Sequence, residues 1–246
     1  MTRILTAHQP VYLPWLGLFH KIALSDHFVW FDDVQYQTKD WNSRNKIKTS
    51  NGLIWLSVPV QRKKHFDIKV RDILIDNSKP WWKKHFRSIE MAYQKAPYFN
   101  DYIGFFENLY DTRWERLNDL NWSIFTYFLD RLEITVPITT LTDMNLMETK
   151  SDLVLAMCKA EKADIYIFGG EGKSYADIEA FKTENVQPYF QEYQHPVYRQ
   201  LHGEFEPFMS VLDLLFNKGP ESASVLMSGN FDKDQLRDGG WVTNEV

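Results

Sequence analysis

The first thirty residues hold the pattern that most constrains the fold. A short apolar run, 4–7, stops at His8, and apolar residues at helical spacing follow in 15–25. A second apolar run, 28–31, ends at Asp32. Strand, helix and strand in so short a stretch indicate a βαβ unit, whose two strands pair in parallel. We therefore expect an α/β protein with a mostly parallel sheet flanked by helices.

The rest of the chain alternates between strand and helix patterns. Further strands are expected over 53–60, 70–75, 136–140, 164–168 and 186–193. Helical patterns follow Ser78, which is a plausible N-cap, and then cover 101–110, 114–132, 151–159 and 210–216. No linker-like stretch divides the chain. The sequence predicts a single domain over 1–246, with a helical insertion or subdomain at about 78–134.

Composition excludes several classes of protein. The 246 residues are 44% hydrophobic and 25% charged, which is typical of a globular chain. A net charge of −5 argues against a nucleic-acid binder held by phosphate electrostatics. The one cysteine allows no intrachain disulfide and no cysteine-rich metal site, and we expect no metal. Without an apolar membrane span or a signal peptide, we expect a cytoplasmic protein with no integral membrane segment.

The segment after the first strand carries the first candidate site. In open α/β sheets, the loop that leaves the carboxyl end of a strand faces the ligand crevice. His8 can serve there as an acid or base, while Gln9 and Tyr12 can contact a polar substrate. Trp15 can stack on a ring, and Lys21 lies in the helix that follows.

A second group of polar and aromatic residues follows the second strand. Asp32 or Asp33 could orient His8 or bind a hydroxyl, with Asp33 as the catalytic candidate, and Arg44 could hold a phosphate or carboxylate with two donors. The other binding candidates in this group are Gln35, Tyr36, Trp41, Asn45 and Lys46. A solvated basic surface is the alternative explanation for Arg44 and its neighbouring lysines.

Glycines after the buried strand 164–168 form a third candidate. Gly169 and Gly170 would let backbone amides approach a ligand, with Tyr175 nearby, although a simple tight turn explains them almost as well. The spacing fits neither a Walker loop nor a dinucleotide fingerprint. A later segment adds a possible catalytic histidine, His195, and two further binding candidates, Tyr198 and Gln200. We expect all three groups to form the walls of one cleft.

Taken in order, these motifs resemble the WbqC-like protein family over about residues 4–220. The matching segments are Ala7-His-Gln-Pro-Val-Tyr-Leu-Pro-Trp-Leu-Gly17, Lys21-Ile22 with Ser25-Asp26, Asp33-Val-Gln-Tyr36, Trp41-Asn-Ser-Arg-Asn-Lys-Ile-Lys48, Gly169-Gly170, Tyr175 with Asp177, His195-Pro-Val-Tyr-Arg-Gln200 and Ser210-Val-Leu-Asp-Leu-Leu-Phe-Asn217. The resemblance implies a bacterial protein associated with surface-polysaccharide (O-antigen) or other specialised biosynthesis. It implies no particular reaction and no set of catalytic residues.

Three functions fit these observations. The first is a transferase that modifies a nucleotide-activated or amino sugar, with His8 as the acid or base. The second is an adenylate-forming ligase or nucleotidyltransferase that uses ATP and Mg²⁺. The third is a non-catalytic binding or scaffold protein of a glycan assembly complex. In each case we expect a small-molecule partner containing phosphate or sugar and no permanently bound cofactor, and the oligomeric state stays open.

Overall fold

A computed structural model describes residues 2–61 and 68–239 of the chain. The strands are β1 (Ile4–His8), β2 (His27–Trp30), β3 (Arg44–Thr49), β4 (Gly52–Ser57), β5 (Ile138–Thr140), β6 (Ile165–Phe168) and β7 (Gln187–Phe190). The α-helices are α1 (Leu16–Ala23), α2 (Trp81–Tyr93), α3 (Phe99–Asp111), α4 (Leu117–Arg131), α5 (Leu141–Met144), α6 (Lys150–Glu161), α7 (Ile178–Thr183), α8 (Val211–Lys218), α9 (Ser222–Met227) and α10 (Lys233–Arg237). Short 3₁₀ helices cover Val70–Asp72, Gly170–Ser174 and Gly219–Glu221.

The central sheet has five parallel strands in the order β5-β2-β1-β6-β7. From β1 the chain adds β2 and β5 on one side and then returns to add β6 and β7 on the other. The strand order therefore reverses between β1 and β6. The expected α/β fold with a mostly parallel sheet and flanking helices is confirmed.

Both faces of the sheet are covered, which explains why its strands are continuous apolar runs. In β2, Phe28 and Trp30 belong to the large core on the side of α1 and α4, while Val29 points into a second core that includes α6. Phe125 of α4 packs against both aromatic rings, with centroid distances of 5.3 Å to Phe28 and 4.8 Å to Trp30. Many of the aromatic side chains of the protein therefore pack in the core.

A separate antiparallel hairpin is formed by β3 and β4. Asn45 and Ile47 are buried, and the alternate residues Arg44 and Lys46 are more exposed. Gly52, with a φ of +99°, lies in the left-handed region that the hairpin turn requires. The sequence predicts a strand at 53–60 but none at β3, because the residues of β3 that alternate with the buried ones are mostly charged.

The strand expected over 70–75 is wrong. Val70–Asp72 is a 3₁₀ helix, after which Leu74 and Ile75 form only isolated bridges with Arg116 and Val60. Val70 and Ile73 are both buried and lie three residues apart, which is one turn of a 3₁₀ helix. The apolar residues that suggested a strand therefore face the core from a tight turn.

The expected helical section is present, but its first cap is wrong. The helices α2, α3 and α4 fall inside 78–134. Ser78 does not cap α2, because the helix begins at Trp81 with Pro80 in the capping position and no side-chain capping bond. The assignment of 1–246 to a single domain stays a prediction. Among the residues described, no helix combines the length and the apolar character needed to cross a membrane.

Candidate functional site

The reversal of strand order places the candidate site at the carboxyl ends of β1 and β6. Open parallel sheets bind ligands at such a point, because the loops leaving two adjacent strands turn in opposite directions and leave a crevice. Here the loop after β1 begins at His8, and the loop after β6 begins at Gly169. The two segments, about 160 residues apart in the chain, meet at one edge of the sheet.

A cavity of about 390 Å³ lies at this edge, and we call it the crevice. Its walls include eight of the residues that the sequence identified and a further group that it did not. The predicted members are His8, Gln9, Trp15, Lys21, Trp41, Gly169, Gly170 and Tyr175. The additional members include Phe31, Asp40, Asn42, Tyr166, Phe168 and Glu171.

The tautomer of His8 follows from its one hydrogen bond. Its Nδ1 lies 2.8 Å from the carbonyl oxygen of Gln9, and a carbonyl can only accept, so Nδ1 carries the proton. Nε2 then holds a lone pair, and no other described residue forms a hydrogen bond with it. Burial, and then the positive charge of Lys21, lower the pKa of His8 from 6.5 to about 3. His8 is therefore a neutral imidazole at physiological pH.

Lys21 supplies the positive charge of the crevice. Its side chain is only 4% exposed, and Nζ donates a hydrogen bond to the carbonyl oxygen of Ala7 at 2.9 Å. Burial lowers the pKa of Lys21 from 10.5 to about 7. Because the ammonium and amine forms are then close in free energy at neutral pH, an anionic ligand would favour the ammonium.

The two glycines after β6 are not required by the packing of the protein. A Cβ atom built on Gly169 or Gly170 would meet nothing within 4 Å, and neither residue has a positive φ. Gly172 is different, since a Cβ there would lie 2.5 Å from the Cβ of Phe168. Gly169 and Gly170 therefore leave open space beside the backbone at the mouth of the crevice.

Two buried asparagines hold the loop that carries His8. Asn42 donates to the carbonyl oxygen of Pro10 at 2.7 Å and to Oε1 of Gln9 at 3.3 Å. Asn45, predicted to bind substrate, donates instead to the carbonyl oxygen of Leu13 at 2.5 Å. Leu13 has a φ of +48°, an unfavourable conformation that the surrounding contacts must maintain. The Trp-Asn-x-Arg-Asn motif thus fixes the shape of this loop.

Tyr12 lies under the loop and not in the crevice. It is fully buried, and its hydroxyl is bonded to Nδ1 of His85 at 2.8 Å and to the hydroxyl of Tyr110. The sequence predicts that Tyr12 binds substrate, but the proline-rich loop turns the Tyr12 ring into the core, where it cannot contact a ligand.

Asp33 is placed apart from His8. Its carboxylate forms ion pairs with Lys69 and Arg71, while the neighbouring Asp32 accepts a hydrogen bond from the backbone of Thr142. Neither carboxylate forms a hydrogen bond with His8. Gln35, a binding candidate, is exposed and forms a bridge with Lys69.

Tyr36 and Arg44 line a different opening. This cavity, of about 1130 Å³, lies between the β3–β4 hairpin and the start of α2, and we call it the hairpin cavity. Lys46 lies on the same hairpin, with Nζ 5.0 Å from the ring centre of Trp55. The expectation that all candidate residues share one cleft is therefore wrong, because the hairpin turns Arg44 away from β1.

The third group forms a cluster of its own. The hydroxyl of Tyr198 donates to buried Asp213 at 2.7 Å, as does the hydroxyl of Tyr93 at 2.9 Å. Gln200 accepts a hydrogen bond of 2.8 Å from Nζ of Lys48. His195 packs among aromatic rings, and its Nε2 is buried without a hydrogen-bond partner among the described residues. None of these side chains lines the crevice.

The sequence missed several wall residues for identifiable reasons. Tyr166 and Phe168 lie inside β6, where an apolar run signals a strand and nothing more. Asp40 and Glu171 are ordinary surface residues until the loops bring them to the same opening. Within the described part of the chain, no group of three or more histidine, cysteine, aspartate or glutamate residues is arranged to hold a metal ion.

The fold and site together are those of an α/β protein with a parallel sheet and a crevice at the point where the strand order reverses. The chain belongs to the WbqC-like protein family, whose profile matches residues 9–225. It is also similar to the "Uncharacterized protein Rv1507c" of Mycobacterium tuberculosis (strain ATCC 25618 / H37Rv), with 36% identity over 220 residues. That match covers 89% of this chain and 95% of the relative. No solved structure matches the chain.

Proposed function

We propose that the chain is a transferase that modifies a nucleotide-activated or amino sugar, and that the crevice is its active site. The observation that carries this proposal is the meeting of a neutral His8, a buried Lys21 and two unconstrained glycines where the strand order reverses. This arrangement combines a base, a cation and exposed backbone at one opening.

His8 would act as the base. The acceptor loses the proton of its hydroxyl or amino group to Nε2 as that oxygen or nitrogen bonds to the transferred group. The bond between this group and the leaving group of the donor breaks, and its electron pair departs with the leaving group. An anionic donor would stabilise the imidazolium that forms and raise the pKa of His8 on binding.

Lys21 and the aromatic side chains would position the substrates. The Lys21 ammonium would hold a negative oxygen of the donor, where burial strengthens the attraction. Trp15 lies with its ring centre 5.4 Å from that of His8 and 5.8 Å from that of Trp41, so both indoles border the reacting base. Such wide rings suit the face of a sugar or a base.

The family resemblance supports a wider role for this proposal. It implies an association with surface-polysaccharide (O-antigen) or other specialised biosynthesis, and the proposed substrate belongs to such pathways. The proposal accordingly places the protein in the cytoplasm, where nucleotide-activated sugars are made.

The test is turnover with a matched histidine control. Purified protein is incubated with pooled nucleotide sugars and amino sugars, with and without ATP and Mg²⁺, and new masses are followed by mass spectrometry. The wild type should form a product, and His8→Gln should slow its formation by roughly 10²-fold or more. His202→Gln, at a histidine that bonds the carbonyl oxygen of Ala92, should retain full activity. Equal rates for His8→Gln and the wild type would contradict the assignment, as would a product formed only with ATP.

A further inference from the structure

The hairpin cavity is larger than the crevice, and the proposed reaction does not use it. It is bounded by β3 and β4, by the segment at Tyr36–Lys39 and by the first turn of α2. Its volume of about 1130 Å³ is slightly above the usual range for small-molecule sites.

The charge of its lining is opposite to that of the protein. The chain carries a net charge of −5, yet four cationic side chains line the cavity together with a single carboxylate, Asp76. The cationic residues are Lys39, Arg44, Lys79 and Lys84. Among the described residues, Lys39, Arg44 and Lys84 form no ion pair and no side-chain hydrogen bond, while Lys79 interacts electrostatically with Asp76. The Asp76 carboxylate already accepts a hydrogen bond from the backbone of Ser78.

Arg44 is held in place by an aromatic ring. Its guanidinium carbon lies 4.4 Å from the ring centre of Trp55, which is 44% exposed. A guanidinium stacked by its face keeps its N–H groups free at the edge, and that edge matches two oxygens of a phosphate. Arg44 is thus orientated without being neutralised.

The start of α2 adds to the positive potential. Within the described residues, no side chain caps this 13-residue helix, and its first turn holds no acidic residue. Lys83 and Lys84 lie near this end instead, where the helix dipole disfavours a positive charge. An anion in the cavity would relieve that repulsion.

A row of tryptophans joins the hairpin cavity to the crevice. Trp41 lines the crevice, and its ring centre lies 5.6 Å from that of Trp55, which lines the hairpin cavity. Trp41 is 38% exposed, so this row lies along the surface between the two openings.

We propose that the hairpin cavity is a second ligand site, which binds a diphosphate group through Arg44, Lys39 and Lys84. The remainder of the ligand would lie on Trp55 and Trp41, in the direction of the crevice. A diphosphate of this kind can belong to a nucleoside or to an isoprenoid carrier. The claim concerns binding only and holds whether or not the crevice catalyses group transfer.

Calorimetric titration of the full chain with inorganic pyrophosphate, uridine diphosphate and geranyl diphosphate tests it. Pyrophosphate should bind, and more weakly as NaCl is raised, because its contacts are ionic. Tighter binding of uridine diphosphate than of pyrophosphate would identify a nucleoside ligand, and tighter binding of geranyl diphosphate an isoprenoid one. Equal binding of all three would mean that the diphosphate supplies the whole affinity.

Charge-neutralising variants locate the site. Arg44→Gln and Lys84→Gln should each weaken pyrophosphate binding at least about fivefold, while Lys182→Gln, at an exposed lysine paired with Glu179, should leave it unchanged. Lys21→Met, which removes the cation of the crevice, should also leave it unchanged, and this separates the site from the crevice. The proposal is overturned if none of the three compounds binds, if Arg44→Gln and Lys84→Gln bind as the wild type does, or if Lys21→Met abolishes binding.

Discussion

The Nζ atom of Lys21 donates a hydrogen bond of 2.9 Å to the carbonyl oxygen of Ala7, directly beneath the loop that begins at His8. The bond connects helix α1 to the carboxyl end of strand β1 and places a positive charge where the strand order reverses. The bond explains how a lysine can stay buried on an otherwise apolar helix. It also gives the crevice a proton-binding group that titrates near neutrality.

Lys21 should make stability depend on pH above neutrality. The folded chain releases this proton near pH 7, whereas the unfolded chain retains it up to about pH 10.5. The unfolded state therefore binds more protons in this window, and the free energy of unfolding should rise with pH by at most about 1.4 kcal/mol per unit. Urea denaturation at pH 7, 8 and 9 measures the slope. Lys21→Met should remove this contribution, and identical slopes in the two proteins would show that Lys21 titrates normally.

His8 should stay neutral throughout the physiological range. Its pKa of about 3 and the bond from Nδ1 to Gln9 predict the tautomer protonated at Nδ1. Nitrogen chemical shifts of the histidine rings are followed between pH 5 and 8, and the signal that disappears in His8→Gln should not titrate. The rings of His20 and His85, whose pKa burial lowers to about 4, should not titrate either, so the variant is needed to assign the His8 signal. A His8 signal that titrates near pH 6.5 would contradict the assignment of His8 as a neutral base.

Replacement by alanine should be tolerated by the fold at Gly169 and Gly170 but not at Gly172. Ala fits at 169 and 170 without strain, so Gly169→Ala and Gly170→Ala should keep or raise stability, by about 0.4–1 kcal/mol. The same change at Gly172 should destabilise the protein by about 1–3 kcal/mol, since the new methyl overlaps Phe168. Thermal denaturation compares the three variants. Large destabilisation by Gly170→Ala would mean that this glycine serves the fold.

The asparagines that hold the His8 loop should matter for folding. Asn42→Ala and Asn45→Ala each leave a buried carbonyl oxygen without its donor, which costs about 1–3 kcal/mol. Asn100→Ala, on the exposed face of α3, should change stability by less than about 0.5 kcal/mol. Chemical denaturation provides the values, and a neutral Asn45→Ala would show that the loop holds its shape without this bond.

Tyr198 should act on stability and not on binding in the crevice. Removing its hydroxyl leaves Asp213 with one hydrogen-bond donor fewer in a buried setting, at a cost of about 1–3 kcal/mol. Tyr198→Phe should therefore unfold more easily and bind ligands of the crevice as the wild type does. Weaker ligand binding at a temperature where the variant is fully folded would instead support the prediction that Tyr198 contacts the substrate.

The sequence predicted local features well because they follow from local physics. Strands β1, β2 and β6 are short apolar runs between polar loops, and burial on both faces of a parallel sheet produces that pattern. The position of Lys21 and His8 followed from the same elements. The strand β3 was missed because its outward side is charged, as Arg44 and Lys46 show.

The errors concern contacts between distant segments. The residues near Asp33 in the chain do not indicate that its carboxylate pairs with Lys69 and Arg71 and not with His8. In the same way, the hydrogen bond from the Tyr198 hydroxyl to Asp213 depends on where α8 lies in the fold. A motif in one chain marks residues that matter without telling whether they hold the fold or the ligand.

The most direct test of the account is the retention of small molecules by the crevice. Wild-type protein and single variants are mixed with a bacterial metabolite extract, filtered, and the retained compounds identified by mass spectrometry. A phosphate- or sugar-containing compound should be retained by the wild type and by Gly104→Ala, at a glycine of α3 that also has open space around it. Retention should fall at least about tenfold in Gly170→Ala and Lys21→Met. Equal retention of every retained compound by all four proteins would contradict the central claim that a ligand lies at the carboxyl ends of β1 and β6.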